Sequence, residues 1–184
     1  MSETAVETKK APGMAQLTVT LFAICTVCAL LLGLVNFITA DKIVAAQAAK
    51  SQAAMATVLP ADSYEPVEYT GGDGSILSMN KAGDAGYVVE VACPASFSGT
   101  QNIMVGVGAD GNVTGVKVVK SSETSGLGQN ADEAYFKDQF NGGAGPFKVT
   151  KDGGTIEAIT GATISSRAVS NGVNSALDAV ASLG

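Results

Sequence analysis

The 184-residue sequence predicts an α+β protein, with a transmembrane helix at its N-terminus and one small domain in which helices pack on an antiparallel sheet. Three observations carry this prediction. Residues 17–38 form a charge-free apolar run, the chain beyond Asp62 breaks into short β-prone stretches punctuated by glycine, and the C-terminus closes on an amphipathic pattern.

Residues 1–16 are polar, carry Pro12 and Gly13, and read as a disordered tail. The apolar run that follows, LTVTLFAICTVCALLLGLVNFI, would reach about 33 Å as a helix at ~1.5 Å per residue, enough to cross a hydrocarbon core. A cleaved signal peptide is the competing reading. Its apolar stretch is usually only ~7–15 residues and ends at a small-x-small site, which Ile38-Thr39-Ala40 fits poorly, so an uncleaved anchor is favoured. Lys9 and Lys10 before the run are balanced by Lys42 and Lys50 after it, and the positive-inside rule therefore gives no orientation. Residues 39–60 are rich in Ala, Gln and Lys and stop at Pro60, a spacer helix whose apolar face (Ile43, Val44, Met55, Val58) is thin.

Residues 61–184 form the domain. Residues 86–91 are a candidate strand, and residues 103–107 and 113–119 are two more, joined through Ala109-Asp110-Gly111-Asn112, an Asp-Gly turn suited to a hairpin. Residues 131–140 read as a short helix, acidic at its start as the helix dipole prefers. Over residues 165–183, Val169, Val173, Leu177 and Val180 recur at helical spacing beside Ala168, Ala176 and Ala179, the pattern of a helix laid on a sheet.

Composition removes several chemistries. The chain has no His, which excludes Ser-His-Asp and Cys-His nucleophiles and His-ligated zinc or haem. Eleven Lys+Arg against seventeen Asp+Glu give a net charge of -6, against a nucleic-acid partner. Cys25 and Cys28 share a face of the span one turn apart, a small-residue packing surface rather than a redox pair, and Cys93 stands alone in the domain, so no disulfide framework is expected.

Two segments hold candidate binding residues. Thr160-Gly161-Ala162-Thr163-Ile164-Ser165-Ser166 enters the terminal helix, where free N–H groups, the dipole and four hydroxyls could hold an anion, with Gly161 admitting close approach and Arg167 as the neighbouring cation. Ordinary helix capping fits the same residues. Glu123-Thr124-Ser125-Gly126-Leu127-Gly128 follows the hairpin, and its glycines fit either a flat ligand or a tight turn.

With both motifs in this order behind one N-terminal span, the chain resembles the covalent-FMN G subunit of the Rnf ion-translocating electron-transport complex and, more distantly, the C subunit of the sodium-pumping NADH:quinone reductase. That resemblance implies an FMN-binding domain to which a flavin transferase moves FMN from FAD, forming a phosphoester with Thr163. It implies that Glu123, Thr124, Gly126 and Leu127 line the flavin ring, and that Thr160, Gly161, Ala162, Ser165 and Ser166 surround the phosphate. The implied role is a membrane-anchored electron carrier between reduced ferredoxin and NAD, one subunit among several, coupled to Na⁺ or H⁺ movement. It has little activity of its own and sits in the inner membrane as a single-pass protein with the domain on the non-cytoplasmic side. Two positions depart from the family pattern: Glu157 stands where Asp is usual, and Ser125 where Pro is usual. The competing readings are a type IV pilin-like fibre subunit, disfavoured because cutting after Gly13 would place Thr18 where such subunits carry Glu, and a tethered binding domain without redox function.

Overall fold

The computed structural model describes residues 13–93, 95–99 and 101–183. Most of the expected polar tail, residues 1–12, lies outside them. Helix α1, Met14–Val58, is 45 residues long and runs without a break through the apolar run and the expected spacer. It is long and apolar enough to cross a membrane, and none of its most apolar stretch is buried. Five threonine hydroxyls on it donate to the carbonyl four residues back, Thr18 to Met14, Thr20 to Gln16, Thr26 to Phe22, Thr39 to Val35 and Thr57 to Ala53, which satisfies these groups without water.

The chain divides into two compact units, one ending at Gln47 and one beginning at Ala48, so the last turns of α1 belong to the domain. The thin face expected of a spacer is put to use there: Ala54, Val58 and Leu59 are buried with Val88 and Met104. Thr114 Oγ1 donates to the Val58 carbonyl at 2.6 Å, satisfying an acceptor that the helix end leaves open.

The sheet is an antiparallel meander in the order β1 (Glu65–Val67), β2 (Ile76–Lys81), β3 (Gly86–Ala92), β4 (Gln101–Gly108), β5 (Val113–Ser121). The hairpin expected at Asp110-Gly111 is β4–β5, with Val105 opposite Val116 and Val107 opposite Val113. Alternation sorts the central strands: Val88 and Met104 face the end of α1, whereas Val89, Val91, Ile103, Val105 and Val107 join the larger core under the C-terminal helix. Burial on both faces explains why β3 and β4 read as almost continuous apolar runs.

Between β5 and the C-terminal helix the chain differs from the single helix expected over residues 131–140. It makes a 3₁₀ turn at Gly128–Asp132, a one-turn helix α2 at Ala134–Lys137 and a second 3₁₀ turn at Asp138–Phe140. The break falls at Glu133, which is extended (φ -73°, ψ 143°). Asp132 is pulled onto β5, its carboxylate accepting from Lys117 Nζ at 2.6 Å and from the Val118 N–H at 3.1 Å, and this tertiary contact overrides local helix preference. Phe136, Phe140 and Phe147 follow, stacked edge to face with centroids 5.6 and 5.2 Å apart.

Helix α3, Thr163–Ala181, lies on the sheet. Ala168, Val169, Val173, Ala176 and Ala179 are buried, and Leu177 and Val180 pack at the margin, as their spacing predicts. The helix begins two residues earlier than expected, which makes Thr163 its first residue.

Candidate functional site

A cleft of about 280 Å³ opens between the loop after β5 and the first turn of α3, just below the ~300–1,000 Å³ range of small-molecule sites. Glu123, Thr124, Leu127 and Gly128 form one wall, and Gly161, Ala162, Thr163, Ile164 and Ser165 the other. Phe97 from the β3–β4 loop and Lys151 from the 3₁₀ turn Thr150–Asp152 complete it.

The two walls are tied by a buried carboxylate. Glu123 is 3% exposed; its Oε2 accepts from Ser165 Oγ at 3.0 Å and its Oε1 from the Ser98 N–H at 3.0 Å. These bonds join the β3–β4 loop, the post-β5 loop and α3, and they satisfy a charge that would be costly to bury alone. Residue 128 must be glycine for this to work, because a Cβ there would collide with Glu123 Oε2 and Ser165 Oγ. Behind the carboxylate lies Cys93, 5% exposed, whose thiol is pushed up to about 12 by burial and, secondarily, by the Glu123 charge; it stays protonated and inert near neutral pH.

The hydroxyls of the α3 entry segment do not converge. Ser165 is committed to Glu123. Ser166, fully buried, donates to the Ala162 carbonyl at 2.9 Å and accepts from the Ile159 N–H at 3.0 Å, so it braces the turn from inside. Thr160 lies on a neighbouring depression with Gly126, Glu157 and Gln139, not on this cleft. Thr163 alone of the four presents its hydroxyl to the cleft, half-buried, with Lys151 Nζ donating to its Oγ1 at 3.2 Å. Ordinary capping does not account for the segment, since the N-cap residue is Ala162 and no side chain caps the helix. Gly161 has φ +77°, a conformation that lets the chain turn sharply into the helix.

The cation at this site is also not the one expected. Arg167 is engaged by Asp152, Nε to Oδ2 at 2.6 Å and Nη2 to Oδ1 at 2.7 Å, and these bonds hold the Asp152 carboxyl below the usual carboxylate range. Lys151 takes its place beside Thr163. Glu157, the residue that departs from the family pattern, is exposed, and its backbone is held from both sides by the Gln139 amide at 2.7 and 3.2 Å.

The cleft's chemistry suits a flavin mononucleotide. Phe97, Leu127 and Ile164 are 70%, 41% and 49% exposed and offer apolar faces to a flat ring system, while Thr163 and Lys151 offer a hydroxyl and an ammonium to a phosphate.

Residues 97–178, which span Phe97, the β4–β5 hairpin, both cleft walls and most of α3, match the FMN-binding domain family. The fold is therefore that of an FMN-binding domain carried behind a helix of membrane-spanning length. The relatives make the placement narrower. The chain is 33% identical to the G subunit of the Na⁺-translocating ferredoxin:NAD⁺ oxidoreductase complex of Acetobacterium woodii, over 84% of this chain and 85% of that one. It is 35% identical to the G subunit of the ion-translocating oxidoreductase complex of Methanosarcina acetivorans, over 88% and 92%, and 27% identical to the protein of the same name from Haemophilus influenzae, over 80% and 81%. The chain belongs to the family of G subunits of ion-translocating oxidoreductase complexes.

Proposed function

We propose that the chain is a membrane-anchored flavoprotein electron carrier, one flavin relay of a ferredoxin:NAD oxidoreductase complex of the Rnf type, with FMN held by a phosphoester to Thr163 that a flavin transferase installs. One observation carries the choice of residue: Thr163 combines an accessible hydroxyl, a place on the cleft and a cationic neighbour, whereas Ser165 and Ser166 are buried and committed and Thr160 lies elsewhere. The bound flavin supplies electron uptake and release. The chain's own residues do the rest. Thr163 at the start of α3 fixes one end of the ligand where the helix dipole favours negative charge. Phe97, Leu127 and Ile164 pack the ring, and Glu123 holds the two walls at a fixed separation through Ser165 and Ser98. Attachment through the phosphate leaves the ring free, so a subunit of this design passes electrons between neighbours. Family membership sets aside the fibre-subunit reading, and the FMN-binding domain sets aside a binding module without redox function.

The test is the intact mass of the denatured chain after co-production with a flavin transferase. An increment of FMN less one water, with the yellow colour retained, is the expected result; a chain of unmodified mass made beside an active transferase would contradict the reading.

Packing should tune the ring without affecting the linkage. In Leu127→Ala the covalent FMN is expected to remain while its absorption maximum and midpoint potential shift, because Leu127 borders the cleft and the ester lies at the opposite wall. Identical spectra and potential would place the ring elsewhere.

The proposed topology puts the helix across the membrane and the domain on the non-cytoplasmic side. A thiol introduced at Asp110, exposed at the hairpin turn, in a variant lacking Cys25, Cys28 and Cys93, is expected to react with an impermeant reagent in right-side-out vesicles. Reaction solely after the vesicles are opened would reverse the assignment.

A further inference from the structure

The Thr150–Asp152 turn carries two charged side chains with different fates. Asp152 faces Arg167 and is paired to it in two hydrogen bonds. Among the described residues, Lys151 has no carboxylate within ion-pair distance, and its ammonium is directed instead at a neutral hydroxyl, Thr163 Oγ1, at 3.2 Å. The turn is held in this position by its flanks: Val149 bridges Ile156 in parallel, the Thr150 N–H donates to the Ile156 carbonyl at 2.9 Å, and the Ile156 N–H donates to the Lys148 carbonyl at 3.0 Å. An ammonium facing a hydroxyl from a turn whose backbone is held, at the mouth of a cleft whose other charged side chain is the already satisfied Glu123, leaves positive charge uncompensated beside Thr163.

We propose that Lys151 is the positioning residue for covalent flavin attachment, orienting Thr163 Oγ1 and neutralising the phosphoryl group delivered to it. The inference rests on Thr163 being the attachment residue. Because an ammonium has donors and no acceptor, its bond to Oγ1 occupies a lone pair and leaves the hydroxyl hydrogen directed away, toward an incoming base. In the transfer, a bond forms between Thr163 Oγ1 and the flavin-side phosphorus of FAD, the pyrophosphate P–O bond breaks, AMP leaves with the electron pair, and the hydroxyl proton passes to a base of the transferase. The phosphodiester left on Thr163 keeps one negative charge, and Lys151 remains beside it as the counter-charge. Arg167 cannot substitute while its guanidinium is bound to Asp152.

The test uses the full-length apo chain in detergent with a flavin transferase and FAD, the incorporated FMN being followed by intact mass over a range of chain concentrations. Lys151→Gln is expected to lower kcat for transfer roughly tenfold or more at saturating chain, the loss typical of removing a charged donor from a site of developing charge. Lys151→Arg is expected to recover most of it, and Lys148→Gln, an exposed lysine on the same segment, to match the wild type. The apo melting temperatures should coincide, since Lys151 is exposed and a merely structural role would show there. A wild-type rate in Lys151→Gln, a loss confined to KM for the chain, or a Lys151→Arg variant as slow as Lys151→Gln would each overturn the inference. Wild-type chain that takes up no flavin, or takes it up at another residue, would instead overturn the attachment reading and remove the ground for this one.

Discussion

Replacing Thr163 by alanine is expected to abolish covalent flavin altogether, because the proposed linkage has a single oxygen and no neighbouring hydroxyl can supply another. Ser165 Oγ donates to Glu123 and Ser166 Oγ is fully buried between Ile159 and Ala162. The fold should survive the change. Residue 163 is the first of α3, upstream of the buried face formed by Val169, Val173, Ala176 and Ala179, and alanine is a good helix former. Circular dichroism of the variant should therefore match the wild type while the FMN mass increment disappears. Thr163→Ser keeps an oxygen at the same place and is expected to retain attachment in part. Thr160→Ala, altering the nearest rival on the neighbouring depression, should leave the linkage in place.

Phe140→Ala is expected to destabilise the domain by about 3–5 kcal/mol, the usual loss for truncating a buried phenylalanine. Phe140 is fully buried and is the middle ring of the Phe136–Phe140–Phe147 stack. Truncation removes both edge-to-face contacts and leaves a cavity beneath the segment that presents Gln139 to the Glu157 backbone. Set against a typical total stability of ~5–15 kcal/mol, that loss is large enough to lower the yield of folded protein. The chain has no Trp, so the urea transition is best followed by circular dichroism. Phe97→Ala is the control: with its ring 70% exposed, the change is expected to cost no more than about 0.5 kcal/mol while altering the flavin spectrum. Equal destabilisation of the two variants would mean that the stack is not the core it forms here.

How much of this was legible in the sequence depended on how local the determining contacts are. The β4–β5 hairpin is specified by its own turn and by valines of period two, and α3 by the spacing of Val169 and Val173; both lie where the pattern puts them. Strands β1 and β2 carry no strand pattern in the sequence, because Glu65–Val67 has three residues with Pro66 in the middle and Ile76–Lys81 lacks a clean alternation. These strands owe their existence to pairing with β3 and not to their own propensity. The break at Glu133 was invisible for a related reason: it depends on Asp132 reaching β5, a contact across the fold.

The site shows the same division. Thr163, Glu123 and Leu127 could be named from motifs that place them at a helix start and in a glycine-flanked loop, and the structure brings them to one cleft. Thr160 and Gly126 belong to the same motifs but turn to the other side of the loop, which sequence spacing does not reveal. Lys151 and Phe97 carried no signal. Each is an isolated residue of ordinary type, brought to the cleft by the Val149–Ile156 bridge and by the β3–β4 loop. Arg167 is nearer in sequence to Thr163 than Lys151, but Asp152 occupies it.

The central claim is that flavin is joined to this chain at Thr163, and tandem mass spectrometry of the tryptic peptide tests it most directly. Cleavage after Lys151 and Arg167 releases residues 152–167, which contain Thr155, Thr160 and Thr163 together with Ser165 and Ser166. Fragment ions are expected to carry the FMN increment if they include Thr163 and to lack it if they end at Ala162 or begin at Ile164. An increment on fragments ending at Ala162, or on fragments beginning at Ile164, would contradict the account and identify the true attachment residue.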